Sequence, residues 1–590
     1  VSRLSPLAPG EPDPLAPGEP DPLDHPDPAR VADAAAVEGL LRCYVREAGV
    51  PVPSAGPLLL ELPATGLRLE VPVRYRSVTG WHRFGPARLA SGAPADAALV
   101  AAALAREACT RLGLDPHAGT GAVARVLDSA RRVAAHVAAR RARPDDPPGV
   151  SPFLAGEQAL LLGHPFHPTP KSREEASDAE LAEYSPELRG AFPLHWFAAH
   201  RSVVAGDSAG PPVADLAREL AGAGLRPPPD TVPVPAHPWQ AREVRRRPGV
   251  RALLEAGLLH DLGPAGPAWH PTSSVRTVYR ADAPYMLKLS LGLRITNSRR
   301  NNLRSELDLG VRVARLLAAG LADRLAAAHP AFRIVRDLAW ISVDAPGEAP
   351  ESGLETAIRE NPFGPGERVV CVSGLVAERP GLGPSRLGET VRALAARSGR
   401  GLDEVSAEWF DRYLRVVAIP LLWLYAEHGL ALEAHQQNTL VTLDVDGWPT
   451  GGWYRDSQGY YVAASKVGRV RALLPGFDEG VPVVFDDALV DERVGYYVGV
   501  NNLLGLIGAF GAQGLADETA LLARLRHALA AAARAYDPTP RVVELLLDAP
   551  TLRCKANHLT CVDGRDELVG SVETQSVYVE IPNPLAEVRP

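Results

Sequence analysis

Four polar clusters, far apart along the chain, hold most of the residues able to do chemistry. The first, Gly163 to Arg173, places His164, His167, Lys171 and Arg173 within ten residues, on a backbone that Pro165, Pro168 and Pro170 restrict to an extended loop. A stiff loop presenting cationic donors suits a carboxylate or a phosphate, and a solvated basic loop is the plain alternative. The second, His237-Pro238-Trp239-Gln240, reads by itself as structural packing. The third runs from Ser273, Ser274, Arg276 and Thr277 through Lys288 to Thr296, Arg299 and Arg300. If its two strands form a hairpin, Arg276 and Lys288 stand side by side and repel, a penalty that a bound polyanion removes. Arg299 and Arg300 precede a helix, whose N-terminus already favours anions. The fourth joins Glu433, His435, Gln437 and Asn438 to Arg455 and Asp456. Two carboxylates and an amide across a hairpin can hold Mg²⁺ between phosphate oxygens, because that ion takes few protein ligands and keeps waters and substrate oxygens. Three cationic clusters and one acidic cluster fit a magnesium nucleotide plus an organic anion better than paired-carboxylate hydrolysis.

The elements that must position these residues are mixed. Helices are expected over residues 31–48, 96–112, 121–142 and 303–326, with Asp96 as an N-cap. Strands are expected over 58–62, 67–75, 194–204, 231–235, 274–279, 285–296 and 332–343. In the 285–296 run, Leu287, Leu289, Leu291, Leu293 and Ile295 would share one face, with Lys288, Ser290, Arg294 and Thr296 on the other. The C-terminal part reads as more helical: 408–428, broken or kinked at Pro420, then 492–510, 517–535 and 539–547, with strands at 438–443, 451–454 and 577–581. Together these predict an α+β fold rather than a doubly wound parallel sheet.

The 590 residues exceed one core, and 46% apolar with 22% charged residues is the mix of a globular protein. A net charge of −8 argues against general nucleic-acid binding. No stretch reads as a membrane span or a secretory leader, so the expected location is cytoplasmic. Cys43, Cys109, Cys371, Cys554 and Cys561 are scattered, which predicts no disulfide framework, and their spacing does not suit an iron–sulfur centre. Gly-rich phosphate loops, a nucleophile elbow and His-Glu-x-x-His are absent from the sequence. Residues 1–28 contain Leu-Ala-Pro-Gly-Glu-Pro-Asp-Pro twice and are expected to form a disordered or extended tail.

Taken in order, Gly163–Arg173, His237–Gln240, Ser273–Thr277 with Lys288, Thr296–Arg300, Arg359-Glu360-Asn361-Pro362, Glu433–Asn438 and Arg455-Asp456 resemble the signatures of the IucA/IucC family of siderophore synthetases, which work without a peptide-synthetase assembly line. The resemblance implies a cupped hand of thumb, fingers and palm, here residues 29–150, 151–345 and 346–590 after the tail, usually homodimeric. It implies that ATP activates a carboxylic acid, citrate most often, as an acyl adenylate that an amine or alcohol then attacks. By motif position, His164, Ser274, Arg276, Lys288, Arg300, His435 and Gln437 would hold ATP, with Lys171, Thr277 and Asn438 beside them. Thr296, Arg300 and His435 would meet the acid, Glu433 and Asp456 would serve Mg²⁺, and Lys288, Arg300 and His435 would act in catalysis. Iron reduction, to which the C-terminal part of such proteins is sometimes likened, is not expected from these cysteines. Two other readings compete: a small-molecule kinase, from His435, Asn438 and Asp456, and a non-catalytic carrier of an anionic ferric chelate.

Overall fold

Alternating apolar strands build the centre of the computed structural model, which describes residues 20–347, 351–566 and 574–588. Among these residues, eight strands form one antiparallel sheet in the order Val204–Ser208, Asp337–Val343, Thr356–Glu360, Tyr285–Leu289, Thr277–Tyr279, Leu259–Pro271, Phe192–His200, Thr231–Ala236. The site-bearing strands Thr277–Tyr279 and Tyr285–Leu289 are neighbours, with Thr277 opposite Lys288. Helix Arg304–Leu316 packs on this sheet and buries Leu307 and Val311 against Trp340 and Ala357.

The expected 285–296 strand is two strands in two sheets. The run breaks at Ser290, whose N–H and hydroxyl both donate to the Glu355 carbonyl, at 3.0 and 2.9 Å. Leu291–Ile295 then leaves the large sheet and pairs with Ser298–Arg300 and Arg173–Glu174. That switch carries Thr296 and Arg300 to the loop that holds Arg173. The expected strands over 194–204 and 332–343 also differ: the first ends at His200, and the second divides into Phe332–Ile334 and Asp337–Val343 in different sheets.

The N-terminal part packs helices Pro28–Ala48, Ala97–Leu112 and Thr120–Ala142 against a small sheet containing Leu58–Leu62 and Leu67–Val71. Asp96 caps its helix as expected, accepting from Leu99 N. The C-terminal part is more helical. Leu402–Tyr413 continues through a wider turn at Leu414–Ala418 into Ile419–His428. Pro420 thus sits in the first turn of a new helical segment, where its missing N–H costs little. Helix Arg386–Ser398, which had no counterpart in the sequence reading, covers Leu387, Val391 and Leu394.

The tail expected over 1–28 needs correction at its described end. Residues 1–19 lie outside the described part, but residues 20–28 are packed. Leu23 is buried, Asp21 pairs with Arg83 at 3.0 Å, Asp24 accepts from Gly381 N at 2.9 Å, and Arg141 donates to the carbonyls of Leu23, His25 and Pro26. Proline content suggested nothing to bury, yet one leucine and a set of carbonyl acceptors suffice to dock the segment.

Candidate active site

Every residue to which the resemblance gives a role in binding ATP, the acid or Mg²⁺ lines one cavity of about 400 Å³. Its walls come from the first helix, the 160–171 loop, the 272–277 turn, the strand carrying Lys288, the Thr296–Arg300 turn, and the loops after Leu430–Leu432 and Pro449–Tyr454.

Hairpin register explains the cationic wall. Thr277 stands opposite Lys288, and Leu289 N donates to Arg276 O at 3.0 Å just beyond that pair; Arg276 and Lys288 are both buried and both line the cavity. Arg276 Nη1 donates to Arg300 O at 2.8 Å and Asn302 Oδ1 at 3.0 Å. Burial, then the Arg300 charge, bring Arg276 down to about 10, so it stays cationic at neutral pH. Lys288 Nζ donates to Asp456 Oδ1 at 2.8 Å and to Ser457 Oγ. Burial lowers the lysine; burial also opposes the Asp456 charge, but Lys288 and Arg359 outweigh it and hold that carboxyl at about 2. Arg300 Nη2 donates to Thr296 Oγ1 at 3.0 Å, and Thr296 adopts a φ of +58°, which a turn residue tolerates at some cost.

The 163–173 loop sets aside the plain alternative and corrects one expectation. It is not a solvated basic loop: Lys171 and Arg173 are both buried. Nor does Lys171 offer a free ammonium to a nucleotide. It lines the cavity, but its Nζ lies 2.5 Å from Glu187 Oε1, and Arg173 Nη2 bonds the same carboxylate at 2.8 Å. These charges fasten the loop to Pro186–Leu188. His164 keeps the expected position. Its Nδ1 accepts from Phe166 N at 3.0 Å, which leaves the ring proton on Nε2, 3.0 Å from the Asn501 side-chain amide. The ring faces the open cavity, but its depth in the fold, then His167, pull its pKa down to about 3.

Arg299 does not add to the anion site. It turns away to Glu175, with Nη1 at 2.9 Å, and the helix begins only at Arg304. Ser273 is spent as well: its N–H and hydroxyl donate to Glu157 Oε2 at 2.8 and 2.7 Å. Ser274 Oγ accepts from Thr277 N at 3.2 Å and keeps its hydroxyl proton for a partner in the turn or the cavity.

The acidic side comes from two loops. His435 Nε2 lies 3.9 Å from Glu433 Oε1, and burial lowers this histidine to about 4. Asn438 Nδ2 donates to Glu433 O at 3.2 Å and Asp456 Oδ2 at 3.3 Å, tying the loops together. Burial, then the Asp456 charge, raise Glu433 to about 7. Gln437 Nε2 donates to Ser273 Oγ at 3.1 Å. Among the described residues no three His, Cys, Asp or Glu side chains converge as a metal cage. Two carboxylates fit only an ion that takes its remaining ligands from water and phosphate.

Glu157, Asp337 and Glu306 were missed. Glu157 lies outside every cluster, and Asp337 pairs with the motif residue Arg359 at 2.6 Å only through strand pairing. Such residues carry no local mark, because a buried counter-charge is defined by the fold. His237, read as structural, is so: its side chain caps Pro238–Val244 by accepting from Trp239 N.

A cationic wall, two carboxylates and two imidazoles thus line the same cavity. A family model described as IucA / IucC matches residues 152–377, and one described as a ferric iron reductase FhuF-like transporter matches residues 407–570. Within the latter, Cys554 and Cys561 are buried and not joined in a disulfide. The chain is 40% identical to the rhizobactin siderophore biosynthesis protein RhbC of Rhizobium meliloti, across 95% of this chain and 98% of that one. It is 33% identical to the spermidine-citrate ligase of Bacillus anthracis, across 94% and 98%. The solved structure of ATP-bound aerobactin synthetase IucA from Klebsiella pneumoniae superposes with a TM-score of 0.83 at 30% identity, covering 94% of this chain and 99% of that one. The chain belongs to the IucA/IucC family of siderophore synthetases. Among the described residues no helix is long and apolar enough to cross a membrane.

Proposed function

We propose that this protein is an ATP-dependent ligase that joins citrate to an amine through a citryl adenylate. The observation that carries the reading is the buried Arg276–Lys288 pair beside Arg300 and Asp456 in one cavity. Like charges desolvated together need anions to offset them; Asp456 meets Lys288 within the protein, and a bound triphosphate and tricarboxylate would add to that offset. The names of the relatives, citrate ligases among them, and the ATP in the related structure supply the chemical identity.

In the proposed reaction a citrate carboxylate oxygen attacks the α-phosphorus, the bond to pyrophosphate breaks, and the adenylate forms. The amine then attacks the acyl carbon, AMP leaves, and the nitrogen loses a proton. Arg276 and Lys288 hold the phosphates, with Ser274, Thr277, His164, Gln437 and Asn438 around them. Arg300, set by Thr296, spans the two anions and offsets the charge that builds on the equatorial oxygens. Neutral His435 can donate a hydrogen bond to the acid without adding charge. Glu433 and Asp456 are the residues that would hold Mg²⁺, which when bound would offset charge on the phosphate oxygens. Fixed orientation of the two reactants supplies much of the remaining rate.

The test is pyrophosphate release with hydroxylamine as the trapping nucleophile, across a panel of carboxylic acids. Citrate-dependent release of AMP and pyrophosphate is expected. Formation of ADP instead would make the protein a kinase, and tight ferric-chelate binding without ATP turnover would make it a carrier.

A further inference from the structure

Glu157 ends the short helix Pro152–Glu157, where a negative charge meets the negative end of the backbone dipoles, so local helix preference does not explain it. It is fully buried. A buried carboxylate persists only where its charge and lone pairs are met. Here the charge and the Oε2 lone pairs are met by two segments more than a hundred residues away. Oε2 accepts from Ser273 N at 2.8 Å and Ser273 Oγ at 2.7 Å, and Oε1 pairs with Arg455 Nη2 at 2.7 Å. Both bonded residues then grip Gln437: Arg455 Nη2 donates to its carbonyl at 3.0 Å, and its Nε2 donates to Ser273 Oγ at 3.1 Å.

The turn that Glu157 holds is strained. Val275 has a φ of +67°, a costly conformation for a β-branched residue, which lasts only where the surroundings over-determine it. That turn sets Ser274 and Arg276. The backbone beneath Glu157 is closely packed: a Cβ on Gly156 would stand 2.7 Å from Val370 Cγ1, and one on Gly374 would stand 2.2 Å from Gly156 O.

We propose that Glu157 is a positioning residue of the nucleotide site, locking the Ser273–Arg276 turn and the Gln437 amide into one rigid cradle through Ser273 and Arg455. This rests on the reading that these groups hold ATP. Glu157 itself touches no reactant, because it lies behind the cavity wall and does not line it. Removing it loosens nucleotide contacts on two loops at once; the Thr296–Arg300 turn shares the Arg276 bond to the Arg300 carbonyl but is also tied to Ser172 and the Arg173 strand, which hold it in place.

The experiment compares wild type, Glu157→Gln, Ser273→Ala, Gln437→Ala and the Glu157→Gln/Gln437→Ala double variant. Equilibrium ATP binding is measured on each, and the KM for ATP and for citrate by pyrophosphate release. Glu157→Gln is expected to weaken ATP roughly ten-fold or more, while the citrate KM stays within about two-fold. Ser273→Ala should shift in the same direction by a smaller factor, and it carries the test should Glu157→Gln fail to fold. The double variant should be little worse than its poorer single. Equal rises in both KM values, or strictly additive losses in ATP affinity, overturn the proposal. Wild type that binds ATP but releases no pyrophosphate overturns the functional reading alone, and the binding data still decide the role of Glu157; wild type that binds no ATP overturns both.

Discussion

At the scale of single residues, the site is a set of charges that compensate one another before any ligand arrives. Lys288 rests on Asp456, and Arg276 on the Arg300 carbonyl and Asn302. Two roles are therefore mixed in each residue, and simple deletion measures both. Arg276→Ala and Lys288→Ala are each expected to cost roughly 2–4 kcal/mol of transition-state stabilisation, read as a fall in citrate-dependent pyrophosphate release. Lys288→Ala also strands Asp456, so its melting temperature should drop. The variant that separates the roles is the uncharged pair Lys288→Met/Asp456→Asn. It should recover most of the stability lost in Lys288→Ala while staying inactive. If activity returns with stability, Lys288 does not meet phosphate and Asp456 does not serve Mg²⁺.

At the scale of elements, chemistry is delivered by connections rather than by strands. Glu433 follows Leu430–Leu432 and Asp456 follows Pro449–Tyr454, and Asn438 bridges the two loops. If both carboxylates serve one Mg²⁺ ion, losing either already spoils the site. Glu433→Gln and Asp456→Asn should each slow adenylation strongly, and the double variant should be little slower than the poorer single. Raised Mg²⁺ should rescue the singles in part. Additive losses with unchanged Mg²⁺ dependence would make Asp456 a partner of Lys288 alone. The hairpin of Arg276 and Lys288 was legible in the sequence because alternation and cross-strand pairing are local rules. The break at Ser290 was not, because it depends on the Glu355 carbonyl and on Asn302, whose N–H donates to Ser290 Oγ at 3.0 Å. Lys171 was misread for the same reason: its partner Glu187 lies on a different element, and a counter-ion on another element leaves no trace in spacing. The packed segment at 20–28 was hidden by its proline content, which reports backbone stiffness and says nothing of acceptors.

At the scale of the whole molecule, the cavity lies where N-terminal helices, central sheet and C-terminal helices meet, so the site inherits the stability of the fold. Buried titratable groups tie that stability to pH. His237 is fully buried, with Tyr184 and Phe192 rings at 4.7 Å, and burial lowers its pKa to about 3. His136 and His558, at about 3 and about 4, are held down in the same way. An unfolded histidine titrates near 6.5, so between roughly pH 6.5 and the folded values the unfolded chain binds more protons at these sites. Stability from them is then complete above about pH 6.5 and is lost as pH falls. Glu47, raised to about 7 by burial, acts in the opposite sense, since its folded form holds a proton that the unfolded form has released. The overall profile is therefore flattened, and a difference between two proteins is the informative quantity. His237→Asn keeps an N-cap acceptor but cannot titrate. It should be less stable than wild type at pH 7.5 by a fixed loss of ring packing. That gap should narrow by about 2 kcal/mol between pH 7 and pH 5, at about 1.4 kcal/mol per pH unit once well below 6.5. Denaturant unfolding of both proteins across this range checks it, and a gap that stays constant would mean that His237 takes up its proton equally in the folded and unfolded chains.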